Sequence, residues 1–328
     1  MVYPDEMAEL AEQLRAAIHG KYDGLGVRFR QVAYEWKEPH INVAGTFFYP
    51  ALAADGAWAL EELATFLYYH AIPFCVPRSE RERLEQQYDA TRDHRYLAEL
   101  VDQARNLFVK AKKSRKSTGE PGELILFVFL EGVVGAPQIA CKMYLKTSTS
   151  MHLHGADSIH ATVGSRAATL RILWGESKLK KNLNGALSSV CDSLAKFVKE
   201  EQGQTQRGRE IDIIRAHLNV TDEALRKALL QYFDPYDECS NQREETYACL
   251  VSYDHKRLFD GLAKVPADKR DAVLVARYKE AAAEACKAFA AKLSAAKLDH
   301  LSVHLFLLPV PSVLALRKAF LRQLGVIR

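Results

Sequence analysis

The sequence predicts an α/β protein in which a mixed sheet is flanked by helices. Three observations carry that expectation. Short alternating or apolar runs have strand length, longer runs between them carry apolar residues at helical spacing, and Gly and Pro punctuate the joins. Between Gly122 and Lys199 the predicted order is helix, three strands, helix, with more strands and helices after it, which is an α/β pattern.

Taken in order, Val27–Trp36 and Ile41–Phe48 alternate and are rich in bulky residues, so both are predicted strands. Trp58–Tyr69 and Tyr96–Lys110 have helical periodicity, and the charged stretch between them, Pro77 to Asp93, is an exposed connection or a solvated helix. Lys112-Lys113-Ser114-Arg115-Lys116 runs into Ser117-Thr118-Gly119-Glu120-Pro121-Gly122, the composition of a linker. It divides the chain into an N-terminal mixed α+β module, 1–111, and a second domain, 117–328. Glu123–Val134 reads as a short buried helix ended by Gly135 and Pro137. Ile139–Lys146, His152–Val163 and Thr169–Trp174 read as strands, with a turn at Thr147–Ser150. Leu183–Lys199 is an amphipathic helix, and Ile211–Leu218 with Glu223–Phe233 form a helical hairpin whose second helix Thr221 would cap. Strands at Tyr247–Tyr253 and Leu301–Leu308 flank an alanine-rich helix, Asp271–Leu293, and Ser312–Leu324 closes the chain as a helix.

With 48% hydrophobic and 26% charged residues, 328 in all, the chain can bury a proper core and is not a disordered sequence. The formal charge of +4 is too small to demand or exclude nucleic acid, so local basic clusters matter more. None of the six cysteines forms a CxxC pair, which argues against a zinc ribbon or thioredoxin-like motif and for reduced, mostly buried thiols. The N-terminal MVYPDEMAEL is acidic where a secretion signal is basic, and the apolar run Leu124–Leu130 is far short of the roughly 18 residues a membrane span needs. A cytoplasmic protein without membrane partners is expected.

The chemistry concentrates between Gly122 and Lys178. Glu123 opens a helix, Asp157 sits in Gly155-Ala156-Asp157, and Glu176-Ser177-Lys178 follows an apolar strand. Side chains two apart on a strand share a face, so Glu176 and Lys178 point the same way if the strand continues through them, and Asp157 on a neighbouring strand adds a second carboxylate. Two carboxylates completed by water and phosphate oxygens make a hard site suited to Mg2+ or Mn2+. Such a metal polarises a phosphodiester and lowers the pKa of water, while a lysine offsets the charge that grows in the transition state. Taken alone an ExK triplet is cheap: Glu35-Trp36-Lys37 is another, and Asp254-His255-Lys256 is a DxK. The ordinary reading of any one of them is a solvated strand end, and only the ordered set in its frame points to phosphodiester hydrolysis.

That ordered set resembles the PD-(D/E)XK nuclease superfamily, which implies a restriction-endonuclease-like core. More narrowly, ELILFVFLEG, HLHGADSIHATV and LRILWGESKLKKNLNGALSSVCDSL are similar to the HamA family, the nuclease subunits of the Hachiman anti-phage defence system. The likeness is strongest over about residues 120–200. The resemblance implies that Asp157 and Glu176 ligate the metal, that Lys178 is the catalytic lysine, that Glu123 is an accessory metal carboxylate, and that a helicase subunit is the partner. The superfamily's proline is missing, Ala156 standing before Asp157. No GxxxxGK[ST] phosphate loop is present, so an ATP-driven motor would be another polypeptide.

Other features have a functional and an ordinary reading. His152, His154 and His160 could belong to a His/Asp metal site, but one facing the cleft or DNA with the rest structural is the plainer view; His154 is the candidate nearest Asp157 by alternation. Lys112 and Lys113 in the basic run, and Lys180 and Lys181 just after the ExK strand, are candidate DNA-phosphate contacts or simply solvated. The helical hairpin resembles a helix-turn-helix less than a packing unit. Two rival functions stand beside a metal-dependent DNA nuclease of defence: a catalytically silent nucleic-acid-binding adaptor, and a repair or restriction nuclease with a different partner.

Overall fold

The computed structural model describes residues 4–114, 120–146, 155–166, 169–201 and 204–327. Its strands are β1 (Phe29–Val32), β2 (Val43–Pro50), β3 (Gln138–Ala140), β4 (Ser158–Val163), β5 (Leu170–Lys180), β6 (Glu200–Glu201), β7 (Gln204–Thr205), β8 (Arg243–Asp254) and β9 (Val303–Val310). Seven of them form one sheet in the order β1-β2-β9-β8-β5-β4-β3, and β6 and β7 form a separate ribbon. β9 is parallel to both β2 and β8, whereas β1–β2, β3–β4 and β4–β5 are antiparallel, so the sheet is mixed as expected.

The chain divides into two compact, interleaved units. The first comprises Met1–Lys21, Tyr69–Gly175 and Phe197–Thr246; the second comprises Tyr22–Tyr68, Glu176–Lys196 and Tyr247–Arg328. The segment 112–116, where composition suggests a linker between modules, falls inside the first unit.

The first unit is built around the helix Glu120–Gly132. Leu124 to Leu130 are all fully buried, and a helix that is apolar on every side belongs in an interior. Its polar end is satisfied within the core. Glu131 accepts from the His19 backbone N–H at 2.8 Å, from His19 Nδ1 at 2.7 Å and from the Gln138 N–H at 2.9 Å. The His19 Nε2 faces the Asn219 amide at 3.0 Å, so a neutral imidazole protonated on Nδ1 satisfies both contacts. Burial pushes the Glu131 carboxyl up, but the hydrogen bond from His19, the electrostatics of the nearby His19 and His160 rings and the Gln138 amide outweigh it and hold the group at about 2.

The second unit centres on β9. Leu305 to Leu308 are consecutively buried, the signature of a parallel strand covered on both faces. The long helix Ala267–Ala295 lies in this unit, and its buried Tyr278 hydroxyl donates to the Leu307 carbonyl at 2.6 Å.

Four sequence expectations need correction. Ile139–Lys146 is not a strand: only Gln138–Ala140 is extended, and Lys142–Lys146 is helical. Residues 138–143 are buried without interruption, which the alternation of a half-exposed strand does not allow. The strand at Val27–Trp36 shrinks to Phe29–Val32, because Leu25–Arg28 is a helical turn. The basic run is not a loop at its start: the helix Arg95–Ser114 carries Lys112 and Lys113, and the next helix starts at Glu120 with Pro121 in its first turn. Lysines late in one helix and proline early in the next are end signals that mimic linker composition. Finally, Asp222 rather than Thr221 caps Glu223–Phe233, accepting from the Leu225 N–H at 2.7 Å, while the Thr221 hydroxyl donates to Glu82 at 3.0 Å. The turn at Thr147–Ser150 lies outside the described residues. Among the described residues no helix is long and apolar enough to cross a membrane. Cys75, Cys141, Cys191, Cys249 and Cys286 are buried free thiols, and Cys239 is half-buried.

Candidate active site

β5 continues past its apolar half through Glu176, Ser177 and Lys178 to Lys180. Glu176 and Lys178 are two apart, so they share a face, and the Lys178 ammonium donates to Glu176 Oε1 in an ion pair. Their side chains are only 12% and 24% exposed, for Glu176 and Lys178 respectively. Both charges are felt at Cys249 on β8: burial first, and then the Glu176 carboxylate, push that thiol far up, with Lys178 opposing.

The competing triplets do something else. Glu35 and Lys37 also pair, at 2.6 Å, but at 75% and 82% exposure, which is a solvated surface pair. Asp254 accepts the Val313 N–H at 2.6 Å, at the start of the helix Val313–Gln323, and His255 Nδ1 accepts the Leu258 N–H at 3.2 Å. That DxK is helix-capping chemistry.

In the first unit, β4 and β5 pair with Ser158 opposite Gly175. Asp157 lies just before β4, half-buried, and its N–H donates to the Gly175 carbonyl at 2.7 Å. Gly175 is the residue that precedes Glu176 in the chain. A Cβ on Gly175 would lie 2.1 Å from Ser158 Oγ and 3.1 Å from Leu126 Cδ2, so glycine is what lets the two strands approach here. Gly155 is held at φ 151°, outside the range of ordinary side chains, with Glu210 packed where its Cβ would be. Glu123 sits at 3% exposure on the helix Glu120–Gly132.

His154 and His152 lie outside the described residues. His160 is fully buried with Nδ1 2.8 Å from the Ala136 carbonyl, so it is part of the core. Lys180 and Lys181 are exposed at the end of β5; Lys180 donates to Ser189 at 2.5 Å, and Lys181 lines a cleft of the second unit with Lys256 and Arg257. Lys112 and Lys113 have helical backbones, their side chains being outside the described atoms. In the helical hairpin Leu225, Leu229, Tyr232 and Phe233 are buried, which is packing.

Sequence reasoning missed a buried ion pair, Lys142 with Glu210, and the His19–Glu131 pair. A lysine inside the apolar IACKMYLK was the available signal for the first. Among the described residues no group of three or more His, Cys, Asp or Glu side chains is arranged to hold a metal ion. A divalent cation would rest on fewer protein ligands completed by water, as Mg2+ commonly does.

The family model of HamA matches residues 28–324. No curated protein matches the chain.

Proposed function

Since the chain belongs to the HamA family and so is a component of the Hachiman anti-phage defence system, we propose that it is the system's metal-dependent DNA nuclease, with a PD-(D/E)XK core. The observation that carries this reading is the largely buried Glu176–Lys178 pair, one residue beyond the Gly175 carbonyl that anchors the Asp157 backbone. Carboxylate oxygens of Asp157 and Glu176 are of the type that Mg2+ or Mn2+ takes and would hold the ion with water completing its shell, Glu123 being the accessory helix carboxylate. Bound there, the ion supplies Lewis-acid polarisation of the scissile phosphate.

The chain's own residues do the rest. Lys178, tethered to Glu176, orients the attacking water and offsets the negative charge growing on the phosphate oxygens. Partial burial of the pair strengthens both effects relative to bulk water. Lys180 and Lys181 hold backbone phosphates beside the reacting one, so binding weakens with salt. A helicase subunit supplies the motor that this sequence lacks and restrains cutting until foreign or damaged DNA engages it.

Cleavage of linear and circular DNA by the purified chain, alone and with its helicase, tests the reading in EDTA, Mg2+ or Mn2+. Cutting that needs the metal and falls at least a hundredfold in Asp157→Ala and Lys178→Ala, a loss on the order of that from removing one transition-state donor, supports it. Absence of cutting under every condition, with DNA binding retained, replaces it with a silent binding subunit.

A further inference from the structure

The nuclease reading leaves Lys142 and Glu210 without a role. Both side chains are withdrawn from water, at 1% and 0% exposure, and Lys142 Nζ lies 2.6 Å from each Glu210 oxygen. Burying two ions costs more than such a pair commonly returns, and apolar side chains of the same volume pack at least as stably. Stability alone is therefore a weak reason for the pair.

Its position gives a stronger one. Glu210 Oε1 lies 1.8 Å from the point a Cβ on Gly155 would occupy, with Cδ at 2.8 Å and Cγ at 3.3 Å. The Gly155 backbone is thus laid directly on the carboxylate. Two residues later the Asp157 N–H is fixed on Gly175 at 2.7 Å. The turn bearing the Asp157 carboxylate is pinned at one end by a charged floor and at the other by the strand ladder. Lys142 gathers both oxygens of Glu210, which holds that carboxylate in one orientation beneath the turn.

We propose that Lys142 and Glu210 are positioning residues that set the Gly155–Asp157 turn for divalent-cation binding at Asp157. Neither touches the ion or the DNA, and the inference rests on the nuclease reading. The test replaces the pair by apolar residues of similar size, Lys142→Met with Glu210→Leu, in the full chain. Thermal melting, Mn2+ binding by electron paramagnetic resonance, and the Mg2+ dependence of DNA cleavage are followed. The double variant is expected to melt cooperatively near the wild type, to bind Mn2+ at least about tenfold more weakly, and to need correspondingly more Mg2+ for cutting, in the range found when groups that orient metal ligands are removed.

Wild-type Mn2+ affinity in a variant that melts normally overturns the proposal. If the double variant does not fold, Gly155→Ala, which must displace Glu210, decides: unchanged Mn2+ affinity there overturns it, and weakened affinity with a cooperative melt supports it. A wild-type chain that neither binds Mn2+ nor cuts DNA removes the nuclease reading and this inference together. A wild type that binds and cuts beside variants that bind equally well removes this inference alone.

Discussion

Acidification should destabilise the first unit through His160, and the size of the effect follows from its surroundings. The imidazole is fully buried on β4, with Nδ1 facing the Ala136 carbonyl at 2.8 Å. Burial dominates and lowers its pKa from 6.5 to about 4; Glu131 and the Ala136 bond pull it up, and His19 adds to the depression. In the unfolded chain the ring accepts a proton near 6.5, so between that value and about 4 the unfolded state binds more protons and stability falls as pH falls. The full window is worth about 3.4 kcal/mol, of which about 2 kcal/mol is lost between pH 7.5 and 5. That is a large share of the roughly 5–15 kcal/mol by which domains are stable. Urea unfolding of the wild type and His160→Asn at pH 7.5, 6 and 5 measures it, since an asparagine amide can still donate to Ala136. The variant's stability should fall by about 2 kcal/mol less across that range. His19 is present in both proteins and cancels in the comparison, and Glu131, held at about 2, titrates mainly below the range. Parallel pH profiles would refute the assignment of the acid sensitivity to His160.

Two further outcomes follow from the hydrogen-bond pattern. Glu244 accepts from the N–H and hydroxyl of Ser165, the N–H of Arg166 and the hydroxyl of Thr169, closing the turn between β4 and β5, so Glu244→Ala should cost about 2–3 kcal/mol in denaturant melts, with Glu244→Gln milder. Asp222→Ala removes the cap of Glu223–Phe233 and should cost about 1 kcal/mol, with faster hydrogen exchange confined to that helix, whereas Thr221→Ala should leave the helix's exchange unchanged.

What could be read from the chain beforehand was whatever its own periodicity dictates. The helices at 120–132 and 183–198 and the strands at 43–50 and 303–310 came through because their apolar spacing is unambiguous over enough residues. The shared face of Glu176 and Lys178 was likewise a matter of two-residue spacing. The errors arose where neighbours distant in sequence decide the outcome. Lys142 leaves the strand pattern because Glu210, far along the chain, provides a partner for its charge. The segment 112–116 has the composition of a boundary, yet the chain stays in one unit across it, leaves that unit after Gly175 and returns to it at Phe197, and no local signal records a return. Gly155 reads as a residue inside the predicted strand His152–Val163, and only the Glu210 carboxylate beneath it explains why no side chain fits.

The place of β9 has a consequence for biosynthesis. This strand follows the other described strands in the chain, yet it lies between β2 and β8 and pairs with both, Val43 and Tyr247 each meeting Val303. Until the ribosome has made it, β2 and β8 present unpaired edges that invite wrong partners. Pairing across nearly the whole chain also makes the sheet slow to close. Removal of β9 would leave two open strands instead of a trimmed domain, and a nascent chain cannot complete its sheet before β9 is made.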